Sequence, residues 1–389
     1  MKTEIATKYK ETEIGTIPEE WISLELYKFA ELVKDAYLPS ADEELSYIGL
    51  EHINQQALSL NSVGKSSDVT SNKFRFKDGD ILFGKLRPYF RKVYRPKFSG
   101  ICSTDIWVAR SKTGFDQDWL FWLFASEDFI KSASGGSSGT RMPRADWDHL
   151  KDTAWPVPKL SEQKQIAEVL SSLDDKIELN RKINKNLEIL ANSLFKKWFI
   201  DIGDELPKGW RMGTFGEAII NFDSKRIPLS SREREKKQGC YPYYGATSIM
   251  DYVDDFIFDG TYVLLGEDGS VAKEDGTPFV QYVQGKIWVN NHAHVLQGKN
   301  GFSTEYIKVF LDQVDIMPFV TGAVQPKINQ ANMNSIPMII PDKKTLDKFN
   351  EILTAFFGMI LENESQTKNL EQVRDSLLPR LMSGKIRVN

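Results

Sequence analysis

Residues 166–177, IAEVLSSLDDKI, and residues 349–360, FNEILTAFFGMI, decide the fold because both carry one apolar pattern. Spacings of three and four residues, kept over several heptads, predict long helices that pack along a seam. Each apolar position of the first stretch has an apolar mate at a constant offset in the second. The first set is Ile166, Val169, Leu170, Leu173, Ile177, Leu187, Leu190 and Leu194, and its mates are Phe349, Ile352, Leu353, Phe356, Ile360, Leu370, Val373 and Leu377.

The ends of these helices carry start and stop signals. Ser161 is a plausible N-cap of the first, and Gly203 and Gly384 follow the two helices as stop signals. About 40 residues at 1.5 Å each give roughly 60 Å, enough to hold two domains apart. Asn180 and Asn363 occupy the same position of the seam in the two helices, where an apolar residue is expected. This position is either locally exposed at a turn or a buried polar site that fixes the register of the helices.

The repeat extends beyond the helices. IPEEW at residues 17–21 returns as LPKGW at residues 206–210, and each half runs through a strand-rich region to a proline, Pro158 or Pro341. Such self-similarity predicts one architecture used twice. The predicted divisions are a first domain at 1–158, a first long helix at 159–203, a second domain at 204–341, and a second long helix with the tail at 342–389.

Both globular regions mix short apolar strands with one short helix and lack a βαβ alternation, which predicts α+β domains. Two similar domains joined by matching helices indicate one scaffold that reads two different things. The predicted strands are 47–50, 80–83 and 101–109 in the first half and 262–265, 287–296 and 336–340 in the second. The predicted helices are 119–130 and 304–314.

Composition limits the possible functions. The chain has 389 residues, a net charge of −4 and a pI near 5.8, so any contact with nucleic acid must be confined to patches. The polar start and the absence of an apolar run of 18 residues predict a cytoplasmic protein that is neither secreted nor membrane-spanning. Cys102 and Cys240 lie far apart without ligand spacing, so neither a disulfide framework nor a zinc site is expected.

The densest basic segment, residues 73–97, is interleaved with aromatic residues. A charge run is often only a solvated face, but here the turn at residues 84–88 follows a buried-looking strand and presents two cations on a loop stiffened by proline. That placement favours contact with DNA phosphates. The candidate residues are Arg75, Lys77, Lys85, Arg87, Arg91 and Lys92.

Further candidates lie in loops and on one strand. The small-residue loop 134–144 ends in two arginines; it could be a flexible linker, but its glycines permit close approach to phosphate and arginine can bind guanine edges. Its counterpart, residues 321–327, keeps a glycine, a proline and a cation. The basic stretch after residue 224 could contact DNA, but an exposed loop explains it equally well. His292 and His294 form a pair without neighbouring metal ligands, so a strand that faces DNA is a better interpretation than a metal site. These candidates are Arg141, Arg144, Gln325, Lys327, Lys225, Arg226 and His292.

Motifs of catalysis are missing from the sequence. A DNA amino-methyltransferase needs an Asn/Asp-Pro-Pro-Tyr/Phe tetrapeptide, and the chain has no Pro-Pro dipeptide. A translocase needs a Walker A motif, which is also missing, and no convincing nuclease carboxylate pair with a lysine is found. We expect no catalytic residue, metal or cofactor in this chain.

In order and spacing, four segments resemble the specificity subunits of type I restriction-modification systems. They are TEIGTIPEEW at residues 12–21, DILFGKLRP at residues 80–88, the first long helix from SEQKQI at residue 161 to FKKWF at residue 199, and SLLPRLMSGK at residues 376–385. The resemblance covers nearly the whole chain. It implies two target recognition domains, each reading half of a split double-stranded DNA sequence, separated by an antiparallel pair of long helices.

The resemblance also implies partners. Two methyltransferase subunits, with S-adenosylmethionine bound to them, would dock on the helices, and restriction subunits carrying the endonuclease would join that core. The helix residues assigned to this role are Leu173, Ile177, Asn180, Leu187, Phe356, Ile360, Asn363 and Leu370. The second half departs from the family-like turn: Gly266-Glu267-Asp268 replaces residues 84–88 and removes both cations. The phosphate role of Lys85 and Arg87 therefore does not carry over.

Two other functions stay open at this point. A fused restriction-methylation enzyme would combine recognition and catalysis in one chain, and the missing motifs count against it. A coiled-coil scaffold without nucleic-acid function would leave the cationic loops unexplained.

Overall fold

A computed structural model describes residues 8–40, 43–135, 143–203, 205–322 and 324–388. The chain divides into two compact units, unit 1 with residues 1–178 and 366–389, and unit 2 with residues 179–365. Each long helix contributes one part to each unit. None of the described helices combines the length and apolar character that crossing a membrane requires.

Unit 1 is built from two larger sheets, one short hairpin and one pair of strands that are distant in sequence. The four-stranded sheet has the order β10-β9-β12-β4 and the five-stranded sheet the order β5-β8-β11-β6-β7. The strands are β1 (Tyr9–Thr12), β2 (Gly15–Pro18), β3 (Ile22–Glu25), β4 (Ala30–Val33), β5 (Ala36–Tyr37), β6 (Ser46–Ile48), β7 (Gly64–Lys65), β8 (Lys73–Phe76), β9 (Ile81–Gly84), β10 (Val93–Tyr94), β11 (Gly100–Ser103), β12 (Ile106–Ser111) and β13 (Ala154–Val157). The helices are α1 (Leu26–Phe29), α2 (Gln117–Ala125), α3 (Glu127–Gly135), α4 (Trp147–Leu150), the first part of α5 (Leu160–Phe195) and the last part of α10 (Lys343–Met382).

Unit 2 carries one six-stranded sheet in the order β15-β20-β18-β19-β16-β17 and the pair β14-β21. Its strands are β14 (Arg211–Thr214), β15 (Ile219–Asn221), β16 (Gln238–Tyr244), β17 (Ile249–Val253), β18 (Phe258–Gly266), β19 (Val280–Val289), β20 (Ala293–Gly298) and β21 (Pro337–Ile340). Its helices are α6 (Phe215–Ala218), α7 (Ser231–Lys236), α8 (Thr304–Leu311), α9 (Gln330–Asn334) and parts of α5 and α10 (Lys343–Met382), and a π-helical turn, Lys196–Ile200, follows α5.

The α+β class and the repeat predicted from sequence are confirmed by these elements. Two predicted strands were wrong in the same way, because each is a pair of strands joined by a turn. Residues 101–109 divide at Thr104-Asp105 between β11 and β12, and residues 287–296 divide at Asn290-Asn291-His292 between β19 and β20. Both strands of each pair are buried, so the apolar run hides the turn. The predicted helix 119–130 is similarly broken at Ser126.

The repeated tryptophan motif ties each unit to the start of a long helix. Trp21 is fully buried and its indole N–H donates to the Glu162 carboxylate at 2.9 Å. In unit 2 the indole of Trp210 donates to Asp342, also at 2.9 Å. A buried indole N–H needs an acceptor, and the acid in each case stands at the first turn of a helix or just before it. The tryptophan motif therefore fixes the position at which each long helix begins.

The helices run antiparallel within each unit. In unit 2 the Asn180 amide approaches the carbonyl of Asn363 at 3.5 Å, and the Asn184 amide donates to the carbonyl of Ile360 at 3.1 Å. The Asn363 amide in turn donates to Asn184 Oδ1 at 2.8 Å. Asn180 is fully buried, so the exposed-turn interpretation of this position is wrong and the buried polar one holds. In unit 1 the seam carries an ion pair, Arg374 to Asp174 at 2.6 Å.

Candidate nucleic-acid interface

The two cationic loops predicted in unit 1 lie side by side. Strand β9 ends at Gly84. The backbone N–H of Lys85 donates to the backbone carbonyl of Asp105, in the turn between β11 and β12, at 2.9 Å. Ala145 N–H donates to the Lys85 carbonyl at 2.8 Å, and Arg87 N–H donates to the Pro143 carbonyl at 2.7 Å. We call residues 84–88, 104–106 and 143–145 the loop junction of unit 1.

Unit 2 repeats this backbone arrangement. Glu267 N–H donates to the His292 carbonyl at 2.8 Å, and Ile328 N–H donates to the Glu267 carbonyl at 2.9 Å. Gly269 N–H donates to the Pro326 carbonyl at 3.0 Å, as Arg87 does to Pro143. Residues 266–270, 291–293 and 326–328 are therefore the loop junction of unit 2, with the same hydrogen bonds and different side chains.

The loop junction of unit 1 is rich in cations. The Lys85 ammonium lies 3.9 Å from the Asp105 carboxylate and the half-exposed Arg144 guanidinium lies 3.4 Å from it, so one acid faces two cations. The Arg87 guanidinium lies over the Phe90 ring, 5.9 Å from its centroid. The excess positive charge suits phosphate contact or guanine edges.

Arg87 has a backbone conformation that is uncommon for a residue with a side chain. Its φ is +52°, in the left-handed region, and the matching residue of unit 2 is Gly269 with φ +75°. The fold accepts glycine here without strain, whereas an arginine costs of order 1 kcal/mol or more. Residues in such sparsely populated backbone conformations are concentrated at functional sites, which makes the Arg87 guanidinium a candidate for DNA contact.

The remaining basic residues of the segment 73–97 do not form one surface with Arg87. Arg91 donates to the Ala125 carbonyl at 2.8 Å and Lys92 to the Leu50 carbonyl at 2.5 Å. Burial lowers the pKa of both groups, since it disfavours the charged form. These two cations hold unit 1 together, which corrects their assignment to phosphate contact.

Two further cations lie on or next to β8, a half-buried Arg75 and an exposed Lys77. Arg75 pairs with Glu43 at 3.0 Å and its guanidinium lies 4.2 Å from the centroid of the Tyr37 ring. Lys77 follows the strand and is exposed. Arg141 lies outside the described residues.

Unit 2 replaces the cation cluster by a buried ion-pair network. Arg226 is nearly buried and donates to Glu267 at 2.7 Å and to the Ala293 carbonyl at 2.7 Å. Lys327 approaches the other oxygen of Glu267 at 3.1 Å. Arg226 thus supports the loop junction from below and is not available to a phosphate, which corrects its sequence assignment. Lys225 is exposed, with its ammonium 5.2 Å from the centroid of the Phe222 ring.

His294 connects this network to the loop. Its Nδ1 lies 2.5 Å from Asp223 Oδ2 and its Nε2 lies 2.8 Å from the Ile328 carbonyl. The Asp223 carboxylate and the Ile328 carbonyl are both hydrogen-bond acceptors, so the ring of His294 lies between two acceptors. Burial opposes ionisation of Asp223, but the hydrogen bond and charge of His294 together with the Val295 N–H lower its pKa to about 2.

Asp223, Glu267 and His294 place ligand-type atoms within 4.8 Å of one another. The atoms a metal would use are already paired: Glu267 accepts from Arg226 and Lys327, and Asp223 accepts from His294. Two cations and a histidine ring already occupy the two carboxylates, so the group is better explained by charge pairing and hydrogen bonding than by metal binding.

The predicted histidine pair does not face one side. His292 stands in the turn before β20 and is about half exposed, with Nδ1 at 2.5 Å from Asp268. His294 is buried, where the matching residue of unit 1 is Trp107, stacked on Phe83. Asp223 was not among the sequence candidates, Glu267 was placed only in the turn 266–268, and the burial of His294 was not expected. The match of His294 with Trp107 comes from strand register, in which they lie opposite Leu265 and Phe83.

The helix residues assigned to partner binding lie largely in the seam. Ile177, Asn180 and Ile360 are buried, so they hold the helices together and offer no surface to another subunit, which corrects that assignment. Leu173, Leu187, Phe356, Asn363 and Leu370 are partly buried. The exposed apolar residues of the two helices are Leu160, Leu179, Ile189, Leu190, Met359 and Val373.

Comparisons with known proteins agree with this organisation. The model of the type I restriction modification DNA specificity domain matches residues 18–189 and again residues 207–372. The type I restriction enzyme MjaIX specificity subunit of Methanocaldococcus jannaschii is 26% identical over 98% of this chain and 97% of its own length. The HindI specificity subunit of Haemophilus influenzae is 23% identical over 81% of this chain and 88% of its own length.

A solved structure shares the fold. The type I restriction-modification S subunit from M. genitalium has a TM-score of 0.56 at 17% identity, over 98% of both chains. The family model covers most of the chain in two copies, each extending from the strand-rich region of one half into the long helix that follows it. The chain therefore belongs to the family of type I restriction modification DNA specificity domains.

Proposed function

We propose that this chain recognises a split DNA target, one half with each unit, and directs partner methyltransferase and restriction subunits to it. The observation that carries the proposal is the pair of loop junctions. They share their backbone hydrogen bonds, so each unit places its loops in the same way. They differ at nearly every exposed side chain, so each unit reads a different half-site.

The side chains proposed to touch DNA differ in chemistry between the units. In unit 1, Lys85, Arg87 and Arg144 supply phosphate contacts and guanine-type hydrogen bonds. In unit 2, exposed residues around the loop 321–327 supply a mixed surface in which a histidine pairs with an acid. This surface carries less net charge, so its contribution to affinity depends less on salt. Its candidate residues are Lys225, His292, Gln325 and Lys327.

The chain acts, in this proposal, without a catalytic centre or cofactor of its own. S-adenosylmethionine binds to the methyltransferase subunits, two of which dock on the long helices. Leu190 and Val373, aligned mates in the repeat, are each 45% exposed and give each unit an outward apolar position for such docking. A fused enzyme would methylate DNA on its own when supplied with S-adenosylmethionine.

A selection from randomised duplexes tests the proposal. The full-length chain, in complex with methyltransferase subunits, is incubated with a library and the bound duplexes are sequenced. We expect two specified blocks of bases separated by an unspecified gap. One continuous block, or no sequence preference, would contradict recognition by two separate readers. Methylation by the chain alone would support the fused enzyme, and equal binding of every duplex would support a scaffold.

A further inference from the structure

Thr321, Gly322 and residues 324–327 belong to a small loop, and we call Val324 and Gln325, both exposed, its tip. Thr321 and Lys327 exchange two backbone hydrogen bonds of 2.8 Å, which close the loop at its base. Val324 is 99% exposed, the largest fraction among the exposed large hydrophobic residues that the structure describes. An isopropyl group so fully in water makes almost no packing contact within unit 2, so it is accessible to an outside partner.

The base of this loop is anchored in the core of unit 2. The Pro326 carbonyl accepts from Gly269 N–H, and the next carbonyl but one, that of Ile328, accepts from the buried His294 at 2.8 Å. Gly322 has φ +91°, and a Cβ there would lie 2.3 Å from the Gln325 carbonyl oxygen. The backbone of Gly322 therefore lies close to that of Gln325, and the exposed Val324 and Gln325 stand on a base held by backbone hydrogen bonds.

The chemistry of the tip fits a base edge and not a phosphate. Val324 is apolar and the neighbouring Gln325 carries an exposed amide, whereas the cation Lys327 lies at the base of the loop beside Glu267. In the major groove, the apolar group that a base pair presents is the C5 methyl of thymine. Amide side chains hydrogen-bond to adjacent base edges there.

We propose that Val324 contacts the methyl group of a thymine in the half-site read by unit 2, with the Gln325 amide hydrogen-bonded to a neighbouring base. This inference rests on the proposed function, because it requires that unit 2 read DNA. Val324 is then a determinant of specificity, and thymine is the base that it contacts.

Uracil scanning tests the contact, because uracil is thymine without the methyl group. Each thymine of the half-site assigned to unit 2 is replaced in turn, and binding by the full-length chain with methyltransferase subunits is measured. We expect one replacement to weaken binding by about fourfold, which is the affinity that burying one methylene-sized group contributes. In Val324→Ala this penalty should vanish. Ile220→Ala, which truncates another exposed apolar residue of unit 2, should keep it.

Several results would overturn the inference. They are a unit 2 half-site without thymine, wild-type binding that ignores every uracil, or a penalty that persists in Val324→Ala. Loss of methyltransferase binding in Val324→Ala, with the uracil penalty unchanged, would assign the tip to a protein contact instead. Failure of the proposed function is separate, because then the wild type would not distinguish its target from a scrambled duplex.

Discussion

Arg144 and Lys327 occupy the same backbone position in the two units, each paired across an antiparallel bridge with the loop that ends a buried strand, at Leu86 in unit 1 and at Asp268 in unit 2. Each cation also approaches a carboxylate, Asp105 or Glu267. The acid lies in the turn after β11 in unit 1 but in the loop after β18 in unit 2. One backbone frame therefore carries two arrangements of charge.

Because Arg87 has a left-handed backbone conformation, replacing it by glycine should affect DNA binding and the stability of the fold differently. We expect Arg87→Gly to weaken DNA binding and to lower the slope of log affinity against log salt by about 1, as for one lost phosphate contact. Its free energy of unfolding should be unchanged or higher, because glycine relieves the strain of φ +52°. Binding titrations at several salt concentrations and urea unfolding measure the two effects.

Arg91 provides the matched control, since its φ is +49° but its guanidinium donates to the Ala125 carbonyl. Arg91→Gly should lose stability, because that buried carbonyl loses its donor. The DNA binding of Arg91→Gly should stay at the wild-type level. If Arg87→Gly also bound DNA as tightly as the wild type at every salt concentration, the Arg87 guanidinium would be only a solvated group.

Removing Arg226 should destabilise unit 2. In Arg226→Met the Glu267 carboxylate loses its best donor while it stays mostly buried, and breaking such a pair costs about 3 kcal/mol. Urea unfolding of the full chain measures the loss. Lys225→Met, next in sequence but exposed, should change the free energy of unfolding by less than about 0.5 kcal/mol. Equal effects of the two substitutions would mean that the network does not stabilise unit 2.

The Asp223–His294 pair should make stability depend on acid pH. The pKa of Asp223 is about 2 in the folded chain, below its usual value near 3.8, so its ionised form stabilises the fold above that usual value. This contribution, about 2 kcal/mol, is lost as the pH falls from about 4 towards 2. Unfolding of Asp223→Asn and of the wild type is compared across this range. The difference between them should shrink at low pH, and two parallel curves would disagree with the pairing.

The seam asparagines should behave as a pair. Asn363→Leu leaves the Asn184 Oδ1 without its 2.8 Å donor and should destabilise the chain by about 1 kcal/mol. Replacing Asn184 by leucine as well should recover stability, because removing both polar partners is nearly neutral. Urea unfolding of the single and double variants provides the comparison. A double variant destabilised by the full sum of the two single effects would show that the two side chains are not coupled.

The helical repeat was predictable because spacings of three and four residues over many turns have one structural solution. The turns at Asp105 and His292 were not, since both flanking strands are buried and the apolar run continues through the reversal. Whether a basic side chain bonds within the fold was not predictable either. Arg87 and Arg91 stand four residues apart in one basic segment, yet of the two only Arg91 donates to a backbone carbonyl in the interior. The pairing of His294 with Asp223 joins residues far apart in sequence, and no local pattern indicates it.

Independent reading of two half-sites is tested most directly by a hybrid chain. Residues 205–341 are replaced by the corresponding segment of a relative with a different target, and the preferred sequence of the full-length hybrid, with methyltransferase subunits, is determined by selection. We expect the half-site of unit 1 to persist and the other to change to that of the relative. A folded hybrid in which both half-sites change, or in which neither does, would contradict recognition by two separate loop junctions.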